Sequence, residues 1–379
     1  IFVIFSSFYL TSIKVPNLGA MSYSPVYYWG ILGTALFMVI SSAFEWKIFD
    51  SRLLIFYVCL FYYSVPQILN NGASNMIINT VFSYLYFLIV LYLSKKTELK
   101  NLHKIVLIFL LSSIVLLIIE SFLRIKEFDT LYFKILAMIG GTNDFYSSKT
   151  GSIMFADSNS TAFLSGTVLL LLVYLKKYKM VYLKFALLVI TILTFSRSAM
   201  FALIIICIIS YFRKIRILTV VSLLVILPTS YYILNINLIE YFLTDGSFLT
   251  KIDILRNTVL FVNNANFSEF LFGIGFGNAQ EYIGIWAHNY FVTYFIETGV
   301  IGLILNIIML VKLLSMGKYE NRYLLLFLAI TGLSFVPYTL TYFFVANAII
   351  IVLENRKKRV SPTLNIGKNE VMAHQTQDI

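Results

Sequence analysis

The chain has 379 residues, of which 59% are hydrophobic and 12% are charged, and its mean hydropathy is +0.85. Soluble domains average about 25% charged residues, so this composition excludes a soluble enzyme, a secreted disulfide scaffold and a disordered protein. A net charge of +11 would suggest a nucleic-acid partner for a soluble chain. In a membrane chain the basic residues report on orientation instead, and we expect no nucleic-acid partner.

Apolar segments that are long enough to cross a bilayer recur along the whole chain. They predict an all-α, polytopic transmembrane helical bundle of about 12 spans, with a single domain over residues 1–359. Polar residues 360–379 are expected to form a disordered cytoplasmic tail. The predicted spans begin near Ile1, Val26, Arg52, Asn75, Lys104, Ser160, Tyr182, Ala199, Ile217, Asn289, Tyr323 and Tyr338. The interior breaks that the sequence predicts are at Pro66, Pro228 and Pro337.

The distribution of lysine and arginine sets the predicted orientation. With both termini cytoplasmic, the inner loops and the tail hold 21 of the 29 basic residues, as positive-inside sorting requires. The same bias predicts two short spans that turn at Arg197, because a single span there would reverse every later basic loop. Two long loops, 123–159 and 235–287, then face outward, and long loops beside a helical bundle usually carry function.

One histidine lies on the predicted outer face. His288 occurs in the segment Trp286-Ala287-His288-Asn289-Tyr290, at the start of a predicted span. A histidine in this place can act as a base near neutral pH. The alternative role is that of an interfacial polar residue that caps the helix beside Trp286 in an aromatic belt.

Two arginines accompany this histidine on the predicted outer face. Arg197 interrupts an apolar stretch, so it either marks an anion site or extends its side chain to the membrane surface. Its planar guanidinium donors suit the oxygens of a diphosphate. Arg256 lies in the second outer loop, where the apolar spacing predicts an amphipathic helix at the interface. It binds either a substrate phosphate or simply a lipid headgroup or an acidic side chain.

The second outer loop also contains the glycine run Gly273-Ile274-Gly275-Phe276-Gly277-Asn278. These glycines allow a close backbone approach or a sharp turn, and they lack the GxGxxG spacing of a dinucleotide site. The sequence contains no HExxH motif, no cysteine pair with metal-ligand spacing and, in the first outer loop, no Asp-x-Asp motif. We therefore expect neither a metal nor a cofactor.

Together these segments resemble the O-antigen polymerase (Wzy-type) and O-antigen ligase superfamily of polytopic membrane glycosyltransferases. The resemblance rests on Thr194-Phe195-Ser196-Arg197-Ser198, Leu271–Asn278, Ala287-His288-Asn289-Tyr290 and Glu297–Gly302, and it extends from Phe155 to Gly302. It implies a GT-C-like fold with a large periplasmic loop that contains short helices. It also implies a bacterial inner membrane location with the active site facing the periplasm.

The implied reaction is a metal-independent, inverting transfer from an undecaprenyl-pyrophosphate-linked oligosaccharide, without a cofactor. By this resemblance, Arg197 and Arg256 hold and neutralise the pyrophosphate leaving group, while His288 accepts the proton of the attacking sugar hydroxyl. Besides the two arginines, the residues implied in substrate binding are Asn159, Gly275, Gly277, Asn289 and Glu297. Two other roles stay open, a helix cap for Asn289 and a bridge inside the bundle for Glu297. Membrane lipids and a chain-length regulator protein are the further implied partners.

Three functions stay open on the sequence. A polymerase that joins lipid-linked repeat units into an O-antigen or capsular polysaccharide is favoured, because the sequence is divergent and rich in Phe and Tyr. An O-antigen ligase would use the same residues to pass the glycan to lipid A core. A lipid-linked oligosaccharide flippase or transporter also fits the span number, but transporters often have two related halves with broken helices, and the three prolines form no matched pair.

Overall fold

The computed structural model describes residues 51–71, 75–126, 158–175, 180–194, 196–211, 246–284, 288–335 and 340–356. Within these ranges the chain is all-helical and has no strand. The helices are α1 (Leu54–Asn71), α2 (Asn75–Lys96), α3 (Leu99–Lys126), α4 (Ser158–Tyr174), α5 (Val181–Leu193), α6 (Arg197–Tyr211), α7 (Gly246–Asn264), α8 (Phe267–Phe272), α9 (Ala279–Ile283), α10 (Tyr290–Met316), α11 (Lys318–Thr331) and α12 (341–356).

Four of the described helices are long and apolar enough to cross a membrane. These segments are Ser51–Leu69, Met76–Lys96, Leu99–Phe122 and Tyr290–Met316, and four shorter apolar helices are Ser158–Tyr174, Val181–Leu193, Arg197–Ser210 and Asn321–Ser334. A helix begins within a few residues of every predicted span start that falls in the described ranges. The spans predicted from Ile1, Val26 and Ile217, and the tail 360–379, lie outside the described residues.

Two details of the helix predictions have different outcomes. The stretch around Arg197 forms two helices, α5 and α6, as the charge bias predicts. Pro66 lies inside the continuous helix α1, so the break predicted there is wrong, whereas Pro228 and Pro337 lie outside the described residues. The break that the structure has is at Gly299 in α10, where the backbone leaves helical geometry with φ 68° and ψ −176°.

Side-chain hydrogen bonds fix the relative directions of the long helices. Tyr62 and Tyr63 of α1 pair with Thr298 and Gly302 of α10, while Cys59, earlier in α1, donates to Leu305, later in α10. The two helices therefore run antiparallel. Helices α4 and α5 also pack on each other, through a hydrogen bond of 2.8 Å between the Ser165 and Thr191 hydroxyls.

The N-terminal ends of α4 and α6 lie together beside the C-terminal end of α11. The hydroxyl of Ser196, just before α6, donates to Asn159 Oδ1 in the first turn of α4 at 2.8 Å. One turn further along α4, the ring of Phe163 lies 5.7 Å from that of Phe335, just past α11. These contacts bring three helix ends to one end of the bundle.

The N-terminal end of α10 joins the same group. Gly332, directly after α11, lies so close to Tyr290 that an added Cβ would be 3.1 Å from the tyrosine Cβ. We call this end of the molecule the site end. It is formed by the N-terminal ends of α4, α6 and α10 and by the C-terminal end of α11.

Helices α7 to α9 form a unit that packs on the first half of α10, and therefore at the site end. Its small apolar core consists of Ile254, Phe261, Ala279, Ile283 and, from α10, Ile296. The prediction that the loop 235–287 contains helices is confirmed within 246–284, although α7, at 19 residues, is longer than a short helix. The rest of that loop, and residues 127–157 of the other long loop, lie outside the described residues.

Candidate functional site

The glycine run lies against the break in α10, backbone to backbone. The amide of Ile274 donates to the carbonyl of Ile296 at 3.0 Å, and that of Gly275 donates to the carbonyl of Glu297 at 2.9 Å. Normally these carbonyls would accept from the next helical turn, but the break at Gly299 removes that turn. The run therefore replaces helical hydrogen bonds that α10 has lost.

This contact requires glycine on both sides. Gly273 has φ 78° and Gly299 has φ 68°, with ψ near 180° in both, a region that essentially only glycine occupies. A Cβ at Gly273 would collide with the Glu297 carbonyl, and a Cβ at Gly299 with the Leu271 carbonyl. The close backbone approach that the sequence predicts is thus made to the protein's own chain.

Gly275 and Gly277 are the other two glycines of the run. Both have positive φ, 95° and 92°, and Gly275 is buried against α10 while Gly277 lies near the Met76 side chain of α2. Their assignment to substrate binding stays a prediction.

Helix α1 supplies hydroxyl groups to carbonyls next to the break, which the sequence interpretation missed. The Tyr62 hydroxyl donates to the Thr298 carbonyl at 2.7 Å, and the Tyr63 hydroxyl to the Gly302 carbonyl at 2.6 Å. Both bonds are buried, so they satisfy backbone acceptors that water cannot reach. In the sequence these tyrosines look like ordinary members of an apolar span.

Glu297 is fully buried and ties the α7–α9 unit to α10. Its Oε1 accepts from the backbone amide of Ala279, the first residue of α9, at 3.3 Å. This geometry realises the alternative in which Glu297 is bridged inside the protein. This hydrogen bond positions the α7–α9 unit on α10, and a direct role of Glu297 in substrate binding stays a prediction.

The sequence leaves two roles open for His288, that of a base and that of a helix cap. The structure bears on the second role through the neighbouring residue, Asn289. Asn289 is the N-cap of α10, and its side-chain oxygen accepts from the amides of Phe291 at 3.1 Å and Val292 at 3.2 Å. The capping role therefore belongs to Asn289, a residue type well suited to it. His288 is exposed and immediately precedes this cap, so its position is anchored while its side chain reaches the surface.

Arg197 is the first residue of α6 and is exposed. The preceding Ser196 is fully buried and bonds to Asn159, which places Asn159 beside the turn that carries Arg197. The sequence pattern connects Asn159 with this arginine only weakly, whereas the structure brings the two segments together.

Arg256 is exposed on the outward side of α7, away from the residues that pack on α9 and α10. The apolar side chains one turn before and after it, Ile252 and Val259, are also exposed, at 43% and 59%. A helix therefore forms where the apolar spacing predicts one, with Arg256 between two exposed apolar side chains, and its location at the membrane interface stays a prediction.

Arg197 and His288 are thus exposed at the N-terminal ends of α6 and α10, at the site end, and Arg256 is exposed on the α7–α9 unit that packs on α10. Among the described residues, no cluster of three or more His, Cys, Asp or Glu side chains is placed to hold a metal ion. The described residues thus define a helical protein with four helices long and apolar enough to cross a membrane, and with two arginines and a histidine exposed on neighbouring elements. No protein-family model matches this chain, and no curated protein is significantly similar to it in sequence.

Proposed function

We propose that the protein is an O-antigen or capsular polysaccharide polymerase that joins undecaprenyl-pyrophosphate-linked repeat units. The observation that carries this proposal is that Arg197 and His288 are exposed at the starts of α6 and α10, while Arg256 is exposed on the unit that packs on α10. In this proposal the chain is a GT-C-like bundle of about 12 spans in a bacterial inner membrane. Its site end faces the periplasm and both termini are cytoplasmic, in accord with the positive-inside bias of the sequence.

The arginines act on the leaving group. When the bond between the anomeric carbon and the pyrophosphate oxygen breaks, its electron pair stays on the pyrophosphate, and negative charge grows there. Fixed guanidinium groups stabilise this charge without reorganising, and they stay protonated at all physiological pH values. In this mechanism Arg197 and Arg256 carry out charge neutralisation that a divalent ion performs in other glycosyltransferases.

His288 acts on the nucleophile. A hydroxyl of the acceptor sugar transfers its proton to the imidazole as its oxygen forms a bond to the anomeric carbon of the donor. Attack from the face opposite the leaving group inverts that centre. A base positioned in this way contributes about 10²- to 10⁴-fold to the rate. Support for this role comes from Asn289, which fixes the backbone next to His288 and leaves the imidazole at the surface.

A second candidate, of another class, is a flippase for lipid-linked oligosaccharides. The break at Gly299 favours it, because transporters often build their substrate site from discontinuous membrane helices. The glycine run already bonds to the carbonyls before this break through two backbone hydrogen bonds. This argues that the break serves the packing of the protein and not a transport site. An O-antigen ligase would use the polymerase residues with lipid A core as the acceptor.

The test is reconstitution of the purified protein in liposomes with pyrophosphate-linked repeat units and EDTA. A ladder of glycan lengths without lipid A core is the expected result. Product that requires lipid A core would identify a ligase instead. Movement of the lipid-linked glycan between leaflets without elongation would identify a flippase and overturn the proposal.

A further inference from the structure

A cleft of about 260 Å³ opens on the α7–α9 unit, and Arg197, Arg256 and His288 are not among its lining residues. It is lined by Asn257, Leu260, Phe261 and Asn264 in the C-terminal half of α7, by Ala265 directly after that helix, and by Tyr282 of α9. None of these lining residues carries a formal charge. The cleft is somewhat smaller than typical drug-sized ligand pockets, and its size fits one or two sugar rings.

The lining combines aromatic faces with amide groups. The rings of Phe261 and Tyr282 meet edge to face, with centroids 5.5 Å apart and an interplanar angle of 89°. Phe261 is buried and forms the fixed partner, while Tyr282 is 49% exposed and presents its ring to the surface. An exposed aromatic face can pack against the apolar C–H face of a pyranose ring.

The polar groups of the cleft have capacity left for a ligand. The Asn257 amide donates to the Ile283 carbonyl at 2.8 Å, which holds its side chain in place and leaves its oxygen as an acceptor. Within the described part of the chain, the Asn264 amide and the Tyr282 hydroxyl have no hydrogen-bond partner. Together they provide both donors and acceptors, as the hydroxyl groups of a sugar require.

We infer that this cleft is a saccharide-binding subsite that takes a neutral sugar unit of the glycan. Arg256 precedes Leu260 of the cleft by four residues on α7, so the two side chains are neighbours along the helix surface. If the proposed function holds, the subsite binds a sugar of the lipid-linked glycan whose pyrophosphate lies at Arg256. Binding of the sugar itself does not depend on that function.

The test is saturation-transfer NMR on the full chain in nanodiscs, with N-acetylglucosamine, galactose, rhamnose and maltose as probes. We expect transfer to at least one probe. Asn264→Ala should weaken its binding about 3- to 10-fold, the effect of one lost hydrogen bond. Tyr282→Ala should weaken it at least as much, whereas Tyr282→Phe should retain most of the contact with the ring.

Asn263→Ala is the matched control, because Asn263 is an exposed asparagine on the same helix that does not line the cleft. No transfer to any probe, or equal losses in Asn263→Ala and Asn264→Ala, would overturn the inference. Sugar binding without a polymer ladder would refute the proposed function and leave the subsite standing. A normal ladder and normal KM in Asn264→Ala and Tyr282→Ala, without sugar binding, would refute the subsite alone.

Discussion

At the scale of single residues, the geometry of Arg197 matters as well as its charge. The guanidinium presents a planar set of donors that can bind two phosphate oxygens at once, which an ammonium group cannot. We expect Arg197→Ala to lower kcat of polymerisation about 10²- to 10³-fold, by analogy with the loss of one transition-state donor. Arg197→Lys should recover only part of that loss.

The measurement is single-turnover polymerisation in liposomes at saturating lipid-linked substrate. Ser198→Ala, at the next position of α6, is the matched control and should keep the wild-type rate. Equal activity of Arg197→Lys and the wild type would mean that only the charge is required. Full activity of Arg197→Ala would remove this arginine from the mechanism.

At the scale of elements, the contact between the glycine run and α10 should tolerate no side chain. Gly273→Ala and Gly299→Ala each force a non-glycine residue into a nearly forbidden conformation, at a cost of about 1–3 kcal/mol, and add a collision with backbone. We expect both variants to unfold at clearly lower temperature in detergent. Gly284→Ala is the control, because Gly284 also has positive φ, 75°, but an added Cβ would meet nothing within 4 Å.

A smaller loss in Gly273→Ala than in Gly284→Ala would contradict this packing. The measurement is the unfolding temperature by intrinsic fluorescence in a single detergent. Activity should fall with the loss of structure in the two collision variants.

The tyrosines of α1 test a neighbouring contact, the one between α1 and α10. Removing the hydroxyl in Tyr63→Phe leaves the Gly302 carbonyl without its donor, and hydrogen bonds between membrane helices contribute about 0.6 to 1.7 kcal/mol. We expect Tyr63→Phe to destabilise the protein by an amount in this range, measured by reversible unfolding in mixed micelles.

Tyr84→Phe is the matched control in the same aromatic cluster. Its ring stacks on that of Tyr63 at 5.8 Å, but its buried hydroxyl has no hydrogen-bond partner in the described structure. Loss of an unsatisfied hydroxyl should be neutral or stabilising. A larger loss of stability in Tyr84→Phe than in Tyr63→Phe would contradict the assignment of these bonds.

The break in α10 also explains what the sequence can and cannot predict. Apolar segments of the sequence predict where the described long helices lie, because the ability of a segment to cross a bilayer depends on its own length and composition. Gly166, Gly299 and Gly302 look alike in sequence, as single glycines in apolar helices, yet only Gly299 among them has positive φ. Its conformation depends on Gly273, a distant partner, and such long-range contacts leave no local pattern.

The same limit applies to the candidate site. Predicted sidedness singles out His288, the one histidine on the predicted outer face, but it leaves eight basic residues there. The choice of Arg197 and Arg256 among them rests on the interrupted apolar stretch, the apolar spacing and the resemblance, and it stays a prediction. The N-cap role of Asn289 follows a local preference and is one of the two roles that the sequence leaves open for this residue. The cleft between α7 and α9 could not be predicted, because Asn264 and Tyr282 line one cleft only after the two helices have packed on each other.

At the scale of the whole molecule, the orientation of the bundle can be tested directly. In a Cys207→Ser background, cysteine is introduced at exposed Gln280 of the site end or at exposed Lys100 of the opposite end. We expect a membrane-impermeant maleimide to label Gln280→Cys in intact spheroplasts and Lys100→Cys only after lysis. Cys59 is buried and should not react. Labelling with the opposite pattern would reverse the proposed orientation.

The central claim is that a histidine at the site end acts as the base of a glycosyl transfer. Its most direct test is the polymer ladder formed in liposomes by His288→Ala beside His103→Ala, with EDTA present throughout. His103 is half-buried and lies in the first turns of α3, which follow the end of α2 that is away from Met76 and Gly277 and so opposite the site end. We expect His103→Ala to give a full ladder and His288→Ala to elongate about 10²- to 10⁴-fold more slowly. An unchanged ladder in His288→Ala would contradict the mechanism.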